Sequence, residues 1–346
     1  MTSTAIAAVP QASAAPADQM ARVDTRLRAL STVEHSTSAD ISRHLIDAGG
    51  KRLRPLLVLA SAEAAGSGAP FPDAVIEAAV CVEYLHLATL YHDDVLDSAP
   101  VRRGVPSVRQ LWGNQRAVLG GDLLLTHAFE VAAGLGPEEV LRVSGTLGEL
   151  CVGQIDESTG LFDQGRSAEE YWACVSGKTA SLLATSCWLG ARAAGATAAV
   201  GAALAEFGSA LGDAFQLVDD ILDLCATEEL IGKSPGGDLR QGVYTLPVLF
   251  ALQEDPGLSA LLVPGIDADG VRKATERIGA TGAYRRSLAI ALERVRTARQ
   301  LLSEPTLSRS GVSRLDAVVG KVVASLRESG VLDHVGDTPE GLEGAA

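Results

Sequence analysis

Aromatic residues are scarce in this chain, with Phe, Trp and Tyr together making up 4% of 346 residues. Strands favour aromatic and β-branched side chains, and no hairpin signal or useful alternating run is present, which excludes a β-sandwich or barrel. Cysteine is sparse and unpatterned. Cys81, Cys151, Cys174, Cys187 and Cys225 are odd in number and form no C-x-x-C pair. That argues against a disulfide framework and for buried thiols in a reducing cytoplasm. No uninterrupted apolar run reaches the roughly 18 residues of a membrane span, so none is expected. Positive charge is in deficit, with 29 Lys and Arg against 43 Asp and Glu and a net charge of −14. An acidic chain is a poor binder of nucleic acid or of an anionic membrane, so neither is expected as a partner. The opening residues 1–19 carry no basic stretch before their short apolar run and read as a disordered Ala/Pro/Ser tail, not a signal peptide.

What the chain does have is aliphatic residue in quantity, with 47% hydrophobic residues, mostly Ala, Leu and Val. That mixture suits closely packed helices. Helical periodicity begins near Met20 and runs to about Leu332. The strongest segments are 53–66, 73–97, 115–134, 137–160, 168–193, 197–226, 244–254, 269–279, 284–302 and 312–329. Gly and Pro punctuate the breaks, as at Gly66-Ser67-Gly68, Pro70-Phe71-Pro72 and Gly232 to Gly242. No shift in composition divides the chain and no solenoid period recurs. The expectation is one all-α domain over 20–335, with a loose tail at 336–346.

One motif does recur. Asp93-Asp94-Val95-Leu96-Asp97 and Asp219-Asp220-Ile221-Leu222-Asp223 share the pattern D-D-x-x-D, each after an apolar helical run. On a helix, positions four apart share a face, so Asp93 aligns with Asp97 and Asp219 with Asp223. Asp94 and Asp220 lie about 100° around the axis. Three carboxylates in one turn repel one another unless a cation sits among them. Mg²⁺ takes oxygen ligands, keeps waters and is commonly held by one or two carboxylates plus a substrate phosphate. A single such motif reads equally well as a solvated acidic helix end. Two copies at the ends of apolar helices favour metal binding by both triads.

An acidic protein that binds phosphate needs local positive charge. Gly49-Gly50-Lys51-Arg52-Leu53-Arg54-Pro55 opens a helix, where the dipole also favours an anion. Arg102-Arg103-Gly104 follows the first acidic motif, Lys178-Thr179 lies in 176–181, and Lys233 sits in the glycine-rich stretch after the second. The Gly177-Lys178-Thr179 run is not a P-loop, because the earlier glycine and the preceding strand are missing. His86 lies seven residues before Asp93 and shares its face two turns away, with Thr89 between them. Such a histidine is otherwise read as a core residue.

The segments GGKRLRP (49–55), HLATLYHDDVLDSAPVRRG (86–104), GGD (120–122), GQ (153–154), KT (178–179), FQLVDDILD (215–223) and GKSPGGDLRQGVYTLP (232–247) stand in one order along most of the chain. In these the sequence resembles the trans-isoprenyl diphosphate synthases, the polyprenyl synthetase family, in a bacterial medium- or long-chain style. The resemblance implies an all-α bundle around a deep central cavity, usually a homodimer, with the two acidic motifs facing each other across its mouth. It implies that Asp93, Asp94, Asp97, Asp219 and Asp223 hold Mg²⁺ ions against an allylic diphosphate, which Arg102, Lys178 and Lys233 also contact. Lys51, Arg54, His86 and Arg103 would hold isopentenyl diphosphate. Thr179 and Gln216 would stabilise the developing allylic cation, and Phe215 would pack beside the reacting groups. The sequence departs from the family in two places. Gly242-Val243-Tyr244 stands where a lysine is frequent, and Glu157 stands where short-chain members often carry Asp.

Product length is partly legible. Ala88, Leu85 and Cys81 form a stripe below Asp93. A bulky aromatic near Ala88 or Thr89 floors the cavity of many short-chain relatives. With small residues at both, a growing chain should pass at least about 7 Å below Asp93, and Leu85 lies about 12 Å down. A medium or long product is therefore expected in preference to C15. A terpene cyclase would carry a different second motif and need no second diphosphate site. A non-catalytic partner subunit would have lost one acidic motif.

Overall fold

The computed structural model describes residues 14–30, 36–225 and 235–328. Two long helices organise it. Helix α4 (Asp73–Leu96) follows Pro72 at its N-cap and carries Asp73 in its first turn, where the helix dipole favours a carboxylate. It is apolar on almost every side and correspondingly buried, from Val75 through Tyr91. Helix α10 (Ala198–Cys225) is similarly enclosed. Helices α1 (Ala14–Leu30), α2 (Ser36–Asp47) and α6 (Asn114–Leu135) surround α4. The partners of α10 follow it in sequence: α11 (Gly237–Gln241), α12 (Leu246–Glu254), α13 (Ala268–Gly279), α14 (Ala283–Leu301) and α15 (Arg309–Glu328).

Two further helices join these halves. Helix α3 (Leu53–Ala64) buries Leu57 on the α10 side and Val58 on the α4 side. Helix α9 (Ser181–Ala193) divides Leu183 and Leu182 in the same way. The C-terminal ends of α4 and α10 carry the acidic motifs. Helices α7 (Pro137–Thr159) and α8 (Ala168–Val175) flank α9. The short α5 (Val108–Trp112) precedes α6.

Glycines allow the closest approaches. A Cβ at Gly212 would stand 2.5 Å from the Ala180 Cα, and one at Gly177 would stand 2.8 Å from the Glu149 carbonyl oxygen. At the far end, Ser308 Oγ donates to the Glu63 carbonyl at 2.5 Å, and the Ser308 N–H donates to the Ala64 carbonyl at 2.7 Å. Gly311 then lies so close to α3 that a Cβ there would meet the Ala64 nitrogen at 2.0 Å.

The all-α fold agrees with the expectation, and the structure corrects it in detail. Residues 14–19, assigned to the N-terminal tail, belong to α1, where buried Gln19 accepts from the Phe71 N–H. Residues 1–13 and the expected tail at 336–346 lie outside the described residues. The long helix expected over 168–193 is broken by a five-residue π-turn, Ser176–Ala180, at the Lys178-Thr179 pair. A small hairpin stands between α4 and α5. Its strands β1 (Val101–Arg102) and β2 (Val105–Pro106) pair antiparallel around Arg103-Gly104, both with positive φ. This is the primed-turn geometry that suits the twist of paired strands, on strands too short to leave an alternating pattern. By length and composition, α4 and α6 could each cross a membrane. The apolar window of α4 is 78% buried in the bundle, and that of α6 is 33% buried.

Candidate active site

Three elements converge at the C-terminal ends of α4 and α10. The π-turn after α8 offers one residue toward the first acidic motif and one to α10, which carries the second. Lys178 Nζ pairs with Glu157 Oε1 of α7 at 2.6 Å and faces Asp93. Burial works against the ammonium, but Glu157 and Asp93 outweigh it and raise Lys178 above the usual lysine range. On the other side, the Thr179 hydroxyl donates to Gln216 Oε1 at 2.7 Å. A π-turn is a common device at functional sites because its extra residue re-aims the side chains around it.

In the first motif, Asp93 is half-buried and Asp97 is exposed. Burial raises the Asp93 carboxyl, as does Asp97, while Lys178 and Arg102 pull it down. Asp94 turns inward instead. Its Oδ1 accepts from both Arg102 Nε and Nη2 at 2.6 Å, while its buried Oδ2 finds no donor among the described residues. In the second motif Asp219 is half-buried and faces Lys51, whose ammonium is drawn down by burial and held up by Asp219. Asp223 Oδ2 accepts from the Asp238 N–H at 3.1 Å. Asp220 has both oxygens engaged, Oδ2 by the Tyr171 hydroxyl at 2.6 Å and Oδ1 by Gln216 Nε2 at 2.8 Å. The expectation of a metal ligand at Asp220 therefore meets a carboxylate whose two oxygens each already accept from a buried donor. Phe215, beside Gln216, packs against the α10 core.

A second cationic pocket lies beneath the first motif. His86 is pushed well below the usual histidine range by burial and by Arg54, Arg103, Arg102 and Arg52 around it, so it is neutral at pH 7. Burial also lowers the Arg54 guanidinium to about 10, and its buried Nε has no acceptor among the described residues. Glu83, fully buried one turn below His86, organises the group. It accepts from Arg52 Nη1 at 2.6 Å and Arg103 Nη2 at 3.4 Å. Arg103 also donates to the Leu45 carbonyl at 3.0 Å and to the Gly49 carbonyl. Gly50, at φ 134°, leaves the room this requires, since a Cβ there would fall 2.7 Å from the Arg103 guanidinium carbon. Arg52 is held internally by Glu83, Asp24 and the Ile46 carbonyl, which leaves Lys51 and Arg54 to face a ligand.

The structure thus gathers Lys51, Arg54, His86, Arg102, Arg103, Lys178, Thr179 and Gln216 around the acidic motifs. Lys233 lies outside the described residues. Sequence reasoning missed Glu83 and Tyr171. Glu83, three residues before His86 on the same helix, was in principle visible as an acid in an otherwise apolar run. Tyr171 had no signal beyond its place on α8. The loop lacking the frequent lysine is packed, not charged: Val243 and Tyr244 are buried, and the Tyr244 hydroxyl donates to the Leu262 carbonyl at 2.9 Å.

The residues fit a hard divalent cation. The donors are carboxylate oxygens next to a cationic pocket suited to phosphate. Among the described residues no three Asp, Glu, His or Cys side chains converge as a finished metal cluster. Ions would therefore be held by one or two carboxylates each, with Asp93, Asp97 and Asp219 best placed, and by the phosphate of a ligand.

Residues 35–275 match the family model described as polyprenyl synthetase. The chain is 40% identical over 304 residues to a nonaprenyl diphosphate synthase of Mycobacterium tuberculosis, covering 86% of this chain and 88% of that one. Among solved structures it is similar to a decaprenyl diphosphate synthase from Rhodobacter capsulatus, with a TM-score of 0.81 and 32% identity over 89% of this chain and 96% of that one. It is also similar to a polyprenyl synthase from Caulobacter crescentus complexed with calcium and isoprenyl diphosphate, with a TM-score of 0.82 and 31% identity over 88% and 94% of the two chains.

Proposed function

The chain belongs to the polyprenyl synthetase family and is a prenyltransferase; we propose that it condenses isopentenyl diphosphate with an allylic diphosphate, using Mg²⁺, to make a medium- or long-chain polyprenyl diphosphate. The observation that carries this reading is the π-turn, which sets Lys178 against Asp93 and Thr179 against Gln216. It links the two acidic helices above a separate pocket of Arg54, His86 and Arg103. One site then takes the departing diphosphate and the other takes that of the acceptor.

Asp93, Asp97 and Asp219 would hold the ions, whose charge supports the leaving diphosphate when they are bound. Asp94 holds Arg102 in place. Lys178 and Arg102 supply fixed positive charge to the same group, which favours ionisation of the allylic carbon. Lys51, Arg54 and Arg103 orient isopentenyl diphosphate so that its alkene meets that carbon, with neutral His86 beside them. The proton lost afterwards goes to the released diphosphate. The apolar walls around α4 exclude water, which would otherwise trap the cation. Calcium and isoprenyl diphosphate in the related Caulobacter crescentus structure support divalent metal and diphosphate ligands here.

The enzyme works as a cytoplasmic homodimer of one all-α domain that includes α1. Exposed Leu119, Leu141, Val152 and Ile155 on α6 and α7 support an apolar face for a second copy. The test is to incubate purified protein with Mg²⁺, labelled isopentenyl diphosphate and C5, C10, C15 or C20 allylic diphosphates. A product ladder to C25 or longer is expected. A stop at C15 or C20 would place the floor at Leu85 or on another helix. No incorporation with any primer would overturn the reading in favour of cyclisation or a partner subunit.

A further inference from the structure

Four buried side chains form one chain of hydrogen bonds behind the π-turn: Tyr171, Asp220, Gln216 and Thr179, none more than 9% exposed. The Tyr171 hydroxyl donates to Asp220 Oδ2 at 2.6 Å. Gln216 Nε2 donates to Asp220 Oδ1 at 2.8 Å, and the Thr179 hydroxyl donates to Gln216 Oε1 at 2.7 Å. The direction of every bond follows from Asp220 in its ionised form. An ionised carboxylate has no proton to give, so with a donor on each oxygen it can only accept. Gln216 must therefore turn its amide NH₂ toward Asp220 and its carbonyl oxygen toward Thr179. Thr179 in turn spends its single proton on that oxygen, and what it keeps are lone pairs.

We propose that Tyr171 is a positioning residue for the transfer reaction: with Asp220 it locks the amide of Gln216 in one polarity, so that Gln216 and Thr179 offer oxygen lone pairs, and no N–H or O–H, to positive charge developing on the allylic substrate. This deepens the proposed function and rests on it. Asp220 is then an internal acceptor and not a metal ligand, and the second motif binds metal through its neighbours. A flipped amide would aim a partial positive charge at a carbon becoming cationic, the reverse of what electrostatic preorganisation requires. Tyr171 is rigidly placed for this duty. It stands in α8, whose start is fixed by the Ser167–Glu170 capping box, and its ring meets Trp172 edge-on at 5.1 Å.

The test uses a reversal that packing alone does not produce. In Asp220→Asn, Tyr171 still donates to the side-chain oxygen, so the new NH₂ faces Gln216 and forces its amide to flip. In Tyr171→Phe the lock is loosened but not inverted. In the double variant the asparagine is free to rotate and present its oxygen to Gln216, which restores the original polarity. The expected loss of kcat is about tenfold for Tyr171→Phe and about a hundredfold or more for Asp220→Asn. The double variant is expected to recover to within a few-fold of Tyr171→Phe. Each preparation is also titrated, with Mg²⁺ and diphosphate present, with an ammonium analogue of the allylic cation and its neutral carbon isostere. The ratio of the two affinities cancels any loss of folded protein. It should fall most in Asp220→Asn and return in the double variant. A double variant no better than Asp220→Asn, or a Tyr171→Phe enzyme with unchanged kcat and affinity ratio, overturns the lock while wild-type turnover leaves the proposed function standing. A wild-type protein that transfers no isopentenyl unit overturns both.

Discussion

Lys178 and Glu157 are joined by a 2.6 Å ion pair that leaves only 15% and 11% of their side chains exposed. The charge of the lysine is thus balanced by its own protein before any diphosphate arrives, and a ligand phosphate must compete with Glu157 for it. A substitution at Glu157 consequently acts on Lys178.

Glu157→Gln keeps the shape of the pair and removes the negative charge. Burial then acts on Lys178 with less opposition, and its pKa falls from the raised position that Glu157 sustains. The alkaline limb of the kcat profile, measured from about pH 8 to 10, should move to lower pH. An unmoved limb would show that Lys178 does not need to be charged for turnover.

Asp93→Ala and Asp219→Ala should each lower turnover by about two orders of magnitude or more, as expected for loss of fixed electrostatic support, while circular dichroism remains helical. Both carboxylates are only half-buried, so neither holds the core. Near-normal isopentenyl incorporation in both variants would remove the metal assignment.

Ala88 is fully buried in α4, on the stripe with Leu85 and Cys81 that lies below Asp93. Ala88→Phe should shorten the product, read as a shift in the chain length of the dephosphorylated alcohols. Overpacking should cost about 1–3 kcal/mol of stability. A variant that melts lower yet gives an unchanged product ladder would place the floor elsewhere.

His86 stays neutral in the fold because burial and four arginines oppose its protonation. The unfolded chain takes up that proton near the ordinary histidine value of about 6.5, whereas the folded one resists it. Unfolding therefore becomes easier as the pH drops below that value, and the contribution of His86 is fully present only above it. His86→Gln should reduce the loss of thermal stability between about pH 7.5 and 5.5 relative to wild type. Equal losses in the two proteins would mean that His86 is protonated in the native state.

The helical bundle was legible because long amphipathic or wholly apolar runs ended at Gly, Pro and Asp. The segment expected over 137–160 is observed as Pro137–Thr159. The hairpin was not legible, since Val101-Arg102 and Val105-Pro106 are too short to show a period. The π-turn was equally hidden, because one extra residue in a continuous helix alters no local preference. The acidic and basic motifs were visible as residue types, but their partners were not. Nothing in the sequence says that Asp220 answers to Tyr171, that Asp94 binds Arg102 or that Glu83 collects two arginines. The Tyr171–Asp220 pair depends on how α8 meets α10, and the Glu83 and Asp94 pairs depend on the loop before α3 and the hairpin folding back onto α4.

The contact between the end of α3 and the start of α15 joins residues 245 positions apart. On a ribosome, residues 51–54 are made early, yet the backbone clamp at Glu63 and Ala64 has no counterpart until Ser308 and Gly311 have emerged. Closing so distant a contact is slow compared with forming the local helices. The far end of α3 is therefore among the first parts synthesised and among the last secured. A nascent chain stalled before Ser308 should hold its helices yet leave the α15 side of α3 uncovered until translation finishes.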